Sequence, residues 1–312
     1  AGFIGYHLIK KLLSENIYSI CGLDNLNSYY DINLKKNRLS NLENRNFIFF
    51  ESNISNYSSL KEVFDSFRPD IVINLAAQAG VRYSKENPIV YVDSNINGFY
   101  NILDLSRMYK IDKLIYASSS SVYGESKSLP FNEEEKNLKP SSLYGSTKLL
   151  NEKLAINFSR NFKLNTLGLR FFTVYGPYGR PDMFIYKSID SILKNKKISL
   201  YSFGNHYRDF TYIDDVIEIL LNLINQKNIL KKNKESIYNI GSGKKTDIKK
   251  IIKIIERNLK KTANLSYNKY QIGDVFQTQS DNKKIKKETK KNSFTNIEDG
   301  IKDTIKWFLN YN

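Results

Sequence analysis

Short apolar runs alternate with amphipathic stretches along the first half of the chain. Ile4, Leu8, Ile9, Leu12 and Leu13 recur at helical spacing and predict a helix over Gly2–Ser14. Compact runs rich in β-branched and aromatic residues predict strands at Tyr18–Leu23, Phe47–Phe50, Ile71–Ala76, Leu114–Ala117 and Thr166–Arg170. The run Ile71–Ala76 is apolar almost throughout, as in a parallel strand covered on both faces. Between the strands lie helical patterns at Leu60–Phe67, stopping before Pro69, then Val90–Tyr109 and Ser141–Asn161.

Strict alternation of strand and helix predicts an α/β fold, a doubly wound parallel sheet of the Rossmann kind, with ligands at the carboxyl ends of its strands. After residue 170 the rhythm changes. Pro177, Gly179 and Pro181 interrupt it. Helices are then predicted at Phe184–Asn195, Ile213–Gln226, Ile248–Leu259 and Ile297–Tyr311, strands near Ile198–Tyr201 and Ile237–Ile240, and a loop up to Arg208. The lysine-rich stretch Asn282–Asn292 reads as a solvated segment. The expected division is a Rossmann domain over 1–172, with 209–240 returning to it, and a smaller α/β lobe from 173–208 and 241–312.

Composition narrows the class. The 312 residues are 41% hydrophobic, enough for a substantial core. One cysteine, Cys21, excludes a disulfide framework and fits a reducing, cytoplasmic setting. No apolar run approaches a membrane span. The net charge of +16 comes from scattered lysine pairs amid many Asn and Ile. AT-rich codon usage accounts for that mix better than a nucleic-acid surface, and no zinc spacing, helix-turn-helix pattern or aromatic RNA signature accompanies it.

Candidate chemistry begins with Tyr144-Gly-Ser-Thr-Lys148. On a helix, positions i and i+4 share a face. An ammonium near a phenol favours phenolate, so the pair is expected to yield a base with a lowered pKa. The competing reading is an ordinary surface Tyr and Lys. Gly2-Phe3-Ile4-Gly5 opens a helix, where glycines and free N–H groups receive a pyrophosphate. Asp24, with Asn25 beside it, ends the next strand about 20 residues on, where a carboxylate accepts ribose hydroxyls and favours NAD. The chain opens inside this motif at Ala1, so a first strand and first glycine are expected ahead of it. Asn53 and Ile54 follow another strand end, and Asn53 either contacts adenine or satisfies its own turn. Leu75, Ala76 and Ala77 provide small residues where a cofactor lies close, or where the chain simply packs. Ser118, Ser119, Ser120 and Ser121 follow the predicted strand Leu114–Ala117, where hydroxyls can hold a substrate oxygen.

Ser119, Tyr144, Lys148 and the glycine-rich start together resemble the catalytic set of the short-chain dehydrogenase/reductase family. The stretches AGFIG (1–5), LDNLNSYYDINLK (23–35), LAAQAGVRYS (75–84), SSSSVYG (118–124), LRFFTVYGPYGRPDM (169–183), RDFTYIDD (208–215) and YNIGSG (238–243) are similar to its extended nucleotide-sugar members, specifically bacterial UDP-glucuronate 4-epimerases. The resemblance covers nearly the whole chain. It implies NAD as cofactor and 4-epimerisation of a UDP-hexuronic acid through a 4-keto intermediate. Tyr144 is then base and acid, Lys148 its electrostatic partner and a ribose ligand, and Ser119 a partner of the sugar 4-hydroxyl, with Ser120 and Ser121 nearby. Asn95 holds the active-site helix or a water chain, Phe172 packs by the nicotinamide and Thr173 touches the sugar. Arg208, Gln271 and Asp274 hold the UDP. A homodimer paired through Val90–Tyr109 and Ser141–Asn161 is also implied, with no nucleic-acid or membrane partner.

Arg180 bears on the sugar. An arginine grips a carboxylate through two parallel N–H bonds, which a uronate offers and glucose does not. The competing reading pairs Arg180 with Asp182. A 4-keto uronate is a β-keto acid that loses CO2 readily, so its carboxylate must be restrained, and Thr173 and Arg180 are the candidates. Related decarboxylases and 4,6-dehydratases carry an acid before the V-Y-G of the serine loop, where Ser121 stands here. A 4-epimerase of neutral UDP-sugars and a non-catalytic NAD-binding regulator remain the other readings.

Overall fold

The computed structural model describes residues 1–226, 235–269 and 275–311. Its first half runs α1 (Phe3–Glu15), β1 (Ile20–Asp24), α2 (Ile32–Ser40), β2 (Phe47–Glu51), α3 (Tyr57–Phe67), β3 (Ile71–Asn74), the short turns α4 (Tyr83–Glu86) and α5 (Ile89–Tyr91), α6 (Gly98–Met108), β4 (Lys113–Ser119), α7 (Leu143–Phe162) and β5 (Thr166–Phe171). The second half holds β6 (Thr173–Tyr175), α8 (Phe184–Leu193), β7 (Lys197–Leu200), β8 (Tyr207–Tyr212), α9 (Ile213–Asn225), β9 (Glu235–Ile240), β10 (Lys245–Asp247), α10 (Ile248–Leu259), β11 (Asn264–Tyr267), α11 (Lys283–Thr289) and α12 (Ile297–Tyr311).

The main sheet has the order β3-β4-β5-β9, all parallel. Every residue of β5 is buried, as expected of a strand covered by helices on both faces. β9 joins this sheet beside β5 although it comes some sixty residues later in the chain. β1 and β2 form a separate parallel pair. β1 and β3 both line one cavity and are not paired with each other. Two smaller sheets, β10-β8-β6 and β11-β7, belong to the second half.

Local chemistry explains the element ends. Ser142 caps α7, its Oγ accepting from Gly145 N at 3.1 Å. α3 stops at Arg68, which takes a left-handed φ of 51° just before Pro69. In α10, Ile248, Ile251, Ile252, Ile254 and Ile255 are buried, while Lys250 and Lys253 are exposed.

Four expectations need correction. The long helix over Val90–Tyr109 is broken by a π-helical stretch at Val92–Asn97, before α6. Such widened turns push side chains off the regular helical face, here Asn95. The loop up to Arg208 is shorter than expected, because after a 3-10 turn at Tyr201–Gly204 the strand β8 takes up Tyr207 to Tyr212 between β6 and β10. Arg208 and Asp209, side by side, break the alternation that would have revealed it. Asn282–Asn292 is not a solvated segment. It contains α11, with Ile285 fully buried, and Lys291 is buried with bonds to Asp215 at 2.9 Å and Glu218 at 2.7 Å. Its lysines masked one apolar position and one buried ion pair. The serine run is no open loop either: Ser118 and Ser119 end β4, and Ser120–Tyr123 is a 3-10 turn.

Candidate active site

The carboxyl ends of β4 and β5 carry the site, and the start of α7 lies across them. Gly145 permits this approach. A Cβ there would lie 2.7 Å from the Ser121 carbonyl oxygen, so no side chain fits between the helix and the serine turn. Gly124 closes that turn with a φ of +58°, and a Cβ on it would overlap the Lys139 carbonyl.

Beneath the turn sits a buried polar network. Ser118 Oγ donates to Glu152 Oε1 at 2.6 Å. Arg170 grips the same carboxylate with Nε and Nη2, both at 2.8 Å, and donates through Nη1 to the Tyr123 hydroxyl at 2.9 Å. Tyr123 in turn donates to Asn239 Oδ1 at 2.7 Å. β4, β5, β9 and α7 are thereby pinned together directly under the candidate chemistry. Asn95 does the same from the side. Its Nδ2 donates to Gln78 O and Thr147 Oγ1, both at 3.0 Å, and its Oδ1 accepts from Gln78 N at 2.8 Å.

Tyr144 is half-buried and Lys148 is buried. The expected electrostatics need correction. Lys148 Nζ donates to the Ala117 carbonyl at 3.0 Å. Burial lowers its pKa to about 8. Tyr144 is raised, not lowered, above the usual phenol value by burial, while hydrogen bonding with Ser119 and the charge of Arg180 oppose the rise and Asp182 adds to it. The i,i+4 spacing places both groups on one face, but the charges that act on the phenol are those of Arg180 and Asp182, and withdrawal from water sets the direction for each group. Ser119 Oγ also donates to Ser121 Oγ and accepts from Ser121 N, both at 3.1 Å.

A single cavity of about 1620 Å³ joins these groups to the glycine-rich start. That exceeds the usual space for one small ligand. It is lined by Gly2, Phe3, Ile4, Gly5, Asp24, Asn25, Asn53, Ile54, Leu75, Ala76 and Ala77 on one side, and by Ser118, Ser119, Ser120, Ser121, Tyr144, Lys148, Phe172, Thr173, Arg180 and Arg208 on the other. Asn95 stands behind the wall. Gln271 and Asp274 lie outside the described residues.

The residues fit a dinucleotide. A Cβ at Gly2 or Gly5 would meet nothing within 4 Å, so the glycine face is open. No side chain caps the N-terminus of α1, which leaves its first N–H groups for an anion. Asp24 accepts from Leu26 N at 2.8 Å and has Lys35 Nζ at 3.6 Å. Asn53 Oδ1 accepts from Ser55 N at 3.1 Å, closing its own turn.

Arg180 faces the same cavity and is bound to Asp182 through Nε at 2.9 Å and Nη2 at 2.5 Å. Of the two readings of Arg180, the ion pair is present. It uses only one edge of the guanidinium.

The sequence model of the NAD dependent epimerase/dehydratase family matches residues 1–241. The chain belongs to that family. Among relatives of this epimerase/dehydratase, Protein CapI of Staphylococcus aureus is 43% identical, with 100% of this chain and 97% of CapI covered. UDP-glucuronate 4-epimerase of Thermodesulfobacterium geofontis is 41% identical, covering 98% and 93%. The crystal structure of UDP-glucuronic acid 4-epimerase from Bacillus cereus, in complex with UDP-glucuronic acid and NAD, superposes with a TM-score of 0.92 at 34% identity, covering 100% and 97%.

Sequence reasoning missed several groups around this site. Tyr29 OH donates to Asp182 Oδ2 at 3.3 Å. Tyr91, fully buried, donates to the Gly80 and Ala79 carbonyls and sets its ring edge against Tyr144, 6.2 Å between centroids. Glu152 and Arg170 were also missed. Glu152 lies at i+4 from Lys148, on the same face of α7, and that spacing was the available signal.

Proposed function

We infer that the protein inverts C4 of UDP-glucuronate to give UDP-galacturonate, with NAD as its resident cofactor. The observation that carries this reading is Arg180 in the cavity that holds Ser119 and Tyr144. A guanidinium with an open edge beside the acid–base group matches a sugar that bears a carboxylate next to its reacting centre.

Gly2, Gly5 and the N-terminus of α1 hold the pyrophosphate, and Asp24 the adenosine ribose. NAD, when bound, supplies the reversible oxidation and reduction at C4. Tyr144 takes the proton of the 4-hydroxyl and returns it after the sugar has turned. In the chain alone the phenol is protonated at neutral pH, and Ser119 and Arg180 act in the direction that eases its loss. Ser119, with Ser120 and Ser121 nearby, orients the hydroxyl. Lys148 binds ribose, Phe172 packs against the nicotinamide side, and Thr173 with Arg180 restrains the carboxylate. Arg208 binds the UDP.

Incubation with UDP-glucuronate, UDP-glucose and UDP-N-acetylglucosamine, followed by NMR of the products, tests the reading. Conversion of the uronate is expected, and Tyr144→Phe is expected to lower its rate about 10³-fold while NAD stays bound. A neutral UDP-sugar as substrate is the second reading, favoured by the prior engagement of Arg180 with Asp182. Conversion of UDP-glucose alone would establish it.

Two copies are proposed to pair through the outer faces of the π-helical stretch, α6 and α7. There Val92, Tyr100, Leu150 and Phe162 stand exposed. Sedimentation at micromolar concentration reads the state directly. No helix among the described residues is long and apolar enough to cross a membrane. The reaction is proposed for the cytoplasm, in keeping with the unpaired Cys21.

A further inference from the structure

Arg180 is held at one edge only. A guanidinium offers two bidentate edges, Nε with Nη2 along its side and Nη1 with Nη2 at its end. Asp182 fills the side edge with both carboxylate oxygens, at 2.9 and 2.5 Å. Neither bond uses Nη1. Both side chains are about a quarter exposed, so the pair borders the cavity rather than lying in the core.

The carboxylate is itself held. Tyr29, from the segment between β1 and α2, donates to Asp182 Oδ2 at 3.3 Å. Its pKa is pushed up to about 12 by burial and by Asp182, so its O–H is a standing donor. The Tyr29 ring also lies 6.0 Å from the Arg180 guanidinium carbon. A second tie fixes the same two segments. Arg38, fully buried, donates to the Tyr30 hydroxyl at 2.7 Å and to the Tyr178 carbonyl at 2.7 Å. The segment that leaves Asp24 is therefore fastened at two points to the segment that carries Arg180.

We propose that Asp182, backed by Tyr29, is a positioning residue that clamps the side edge of Arg180 and so directs its end edge at the carboxylate of the sugar. This rests on the reading of the substrate as a uronate. Selectivity for that carboxylate then belongs to a three-residue chain, Tyr29–Asp182–Arg180, and not to the arginine alone. The chain also bears on side chemistry. In a 4-keto uronate the C5–C6 bond can break, its electron pair passing to the C4 carbonyl as an enolate while CO2 leaves and C5 later takes a proton from water. A carboxylate gripped from a fixed direction cannot turn into the alignment that this cleavage needs.

The test uses the NAD-loaded protein. Asp182→Asn keeps the shape but cannot accept both N–H groups. The Kd for UDP-glucuronate is expected to rise about tenfold, with less than about a twofold change for UDP-glucose. NMR of the turnover mixture is expected to show a larger share of decarboxylated UDP-pentose product than wild type gives. Tyr29→Phe, which removes only the hydroxyl, is expected to move both readings in the same direction by a smaller factor. Unchanged uronate affinity and product share in Asp182→Asn would overturn the proposal. Tighter uronate binding would overturn it too, by showing that Asp182 competes with the substrate for Arg180. Failure of the wild-type protein to convert UDP-glucuronate would instead defeat the substrate reading.

Discussion

The two ends of the long cavity are built differently. At the chemical end, β4 and β5 are buried along nearly their whole length. Their polar groups are bonded to one another through Glu152, Arg170, Ser118 and Tyr123. At the nucleotide end, the parallel pair β1–β2 borders the glycine-rich start of α1. Glycines there face open space, and helix N–H groups lack caps. The difference teaches where organisation is stored. Acid–base chemistry needs groups held in place before the substrate arrives. A pyrophosphate needs open donors that the ligand itself completes.

Three changes sharpen this contrast. The largest effect is expected from Glu152→Ala. It leaves the Arg170 guanidinium buried without its carboxylate, a loss of about 3–5 kcal/mol in denaturant unfolding. A loss below about 1 kcal/mol would show that the chemical end is less tightly organised than its hydrogen bonds imply. Next is the pH dependence tied to Lys148. Burial lowers its folded pKa to about 8. Its unfolded value lies near 10.4. Between the two, the unfolded chain holds a proton that the folded chain does not. Stability is therefore lowest from this source below about pH 8 and rises toward pH 10.4, by about 3 kcal/mol in all. Lys148→Met is expected to lack that rise when the two cofactor-free proteins are unfolded in parallel over this range. The smallest effect is expected at the open end. Asp24→Asn removes a charged acceptor from the ribose position and is expected to weaken NAD binding about tenfold by titration calorimetry, leaving turnover at saturating NAD within about twofold. A large stability loss there would make Asp24 a framework residue, as Glu152 is.

Much of this was legible in the chain. The boundaries of α10 and α12 match the periodicity to the residue, because each carries one sustained apolar face. Gly2, Gly5, Asp24, Ser119, Tyr144, Lys148 and Arg180 all reach one cavity, because motif spacing at strand ends is enough to bring them there. The short strands β6, β8, β10 and β11 were not legible. Three to six residues carry too little pattern, and their partners lie far away in the chain. The break before α6 was missed for a related reason. Val92–Asn97 has helical composition, and only the bonds that Asn95 makes to Gln78 and Thr147 reveal why a wider turn is kept.

The sequence by itself determined the alternation of strand and helix, the glycine-rich start and the identities of the reacting groups. Those depend on neighbours a few residues apart, and local periodicity records them. Tertiary structure decided their chemical state. Tyr144 sits above its ordinary pKa and Lys148 below its own because burial, which no spacing records, is the largest influence on each. It also decided which edge of Arg180 is left for a ligand, since that depends on where Asp182 and the distant Tyr29 come to rest against it.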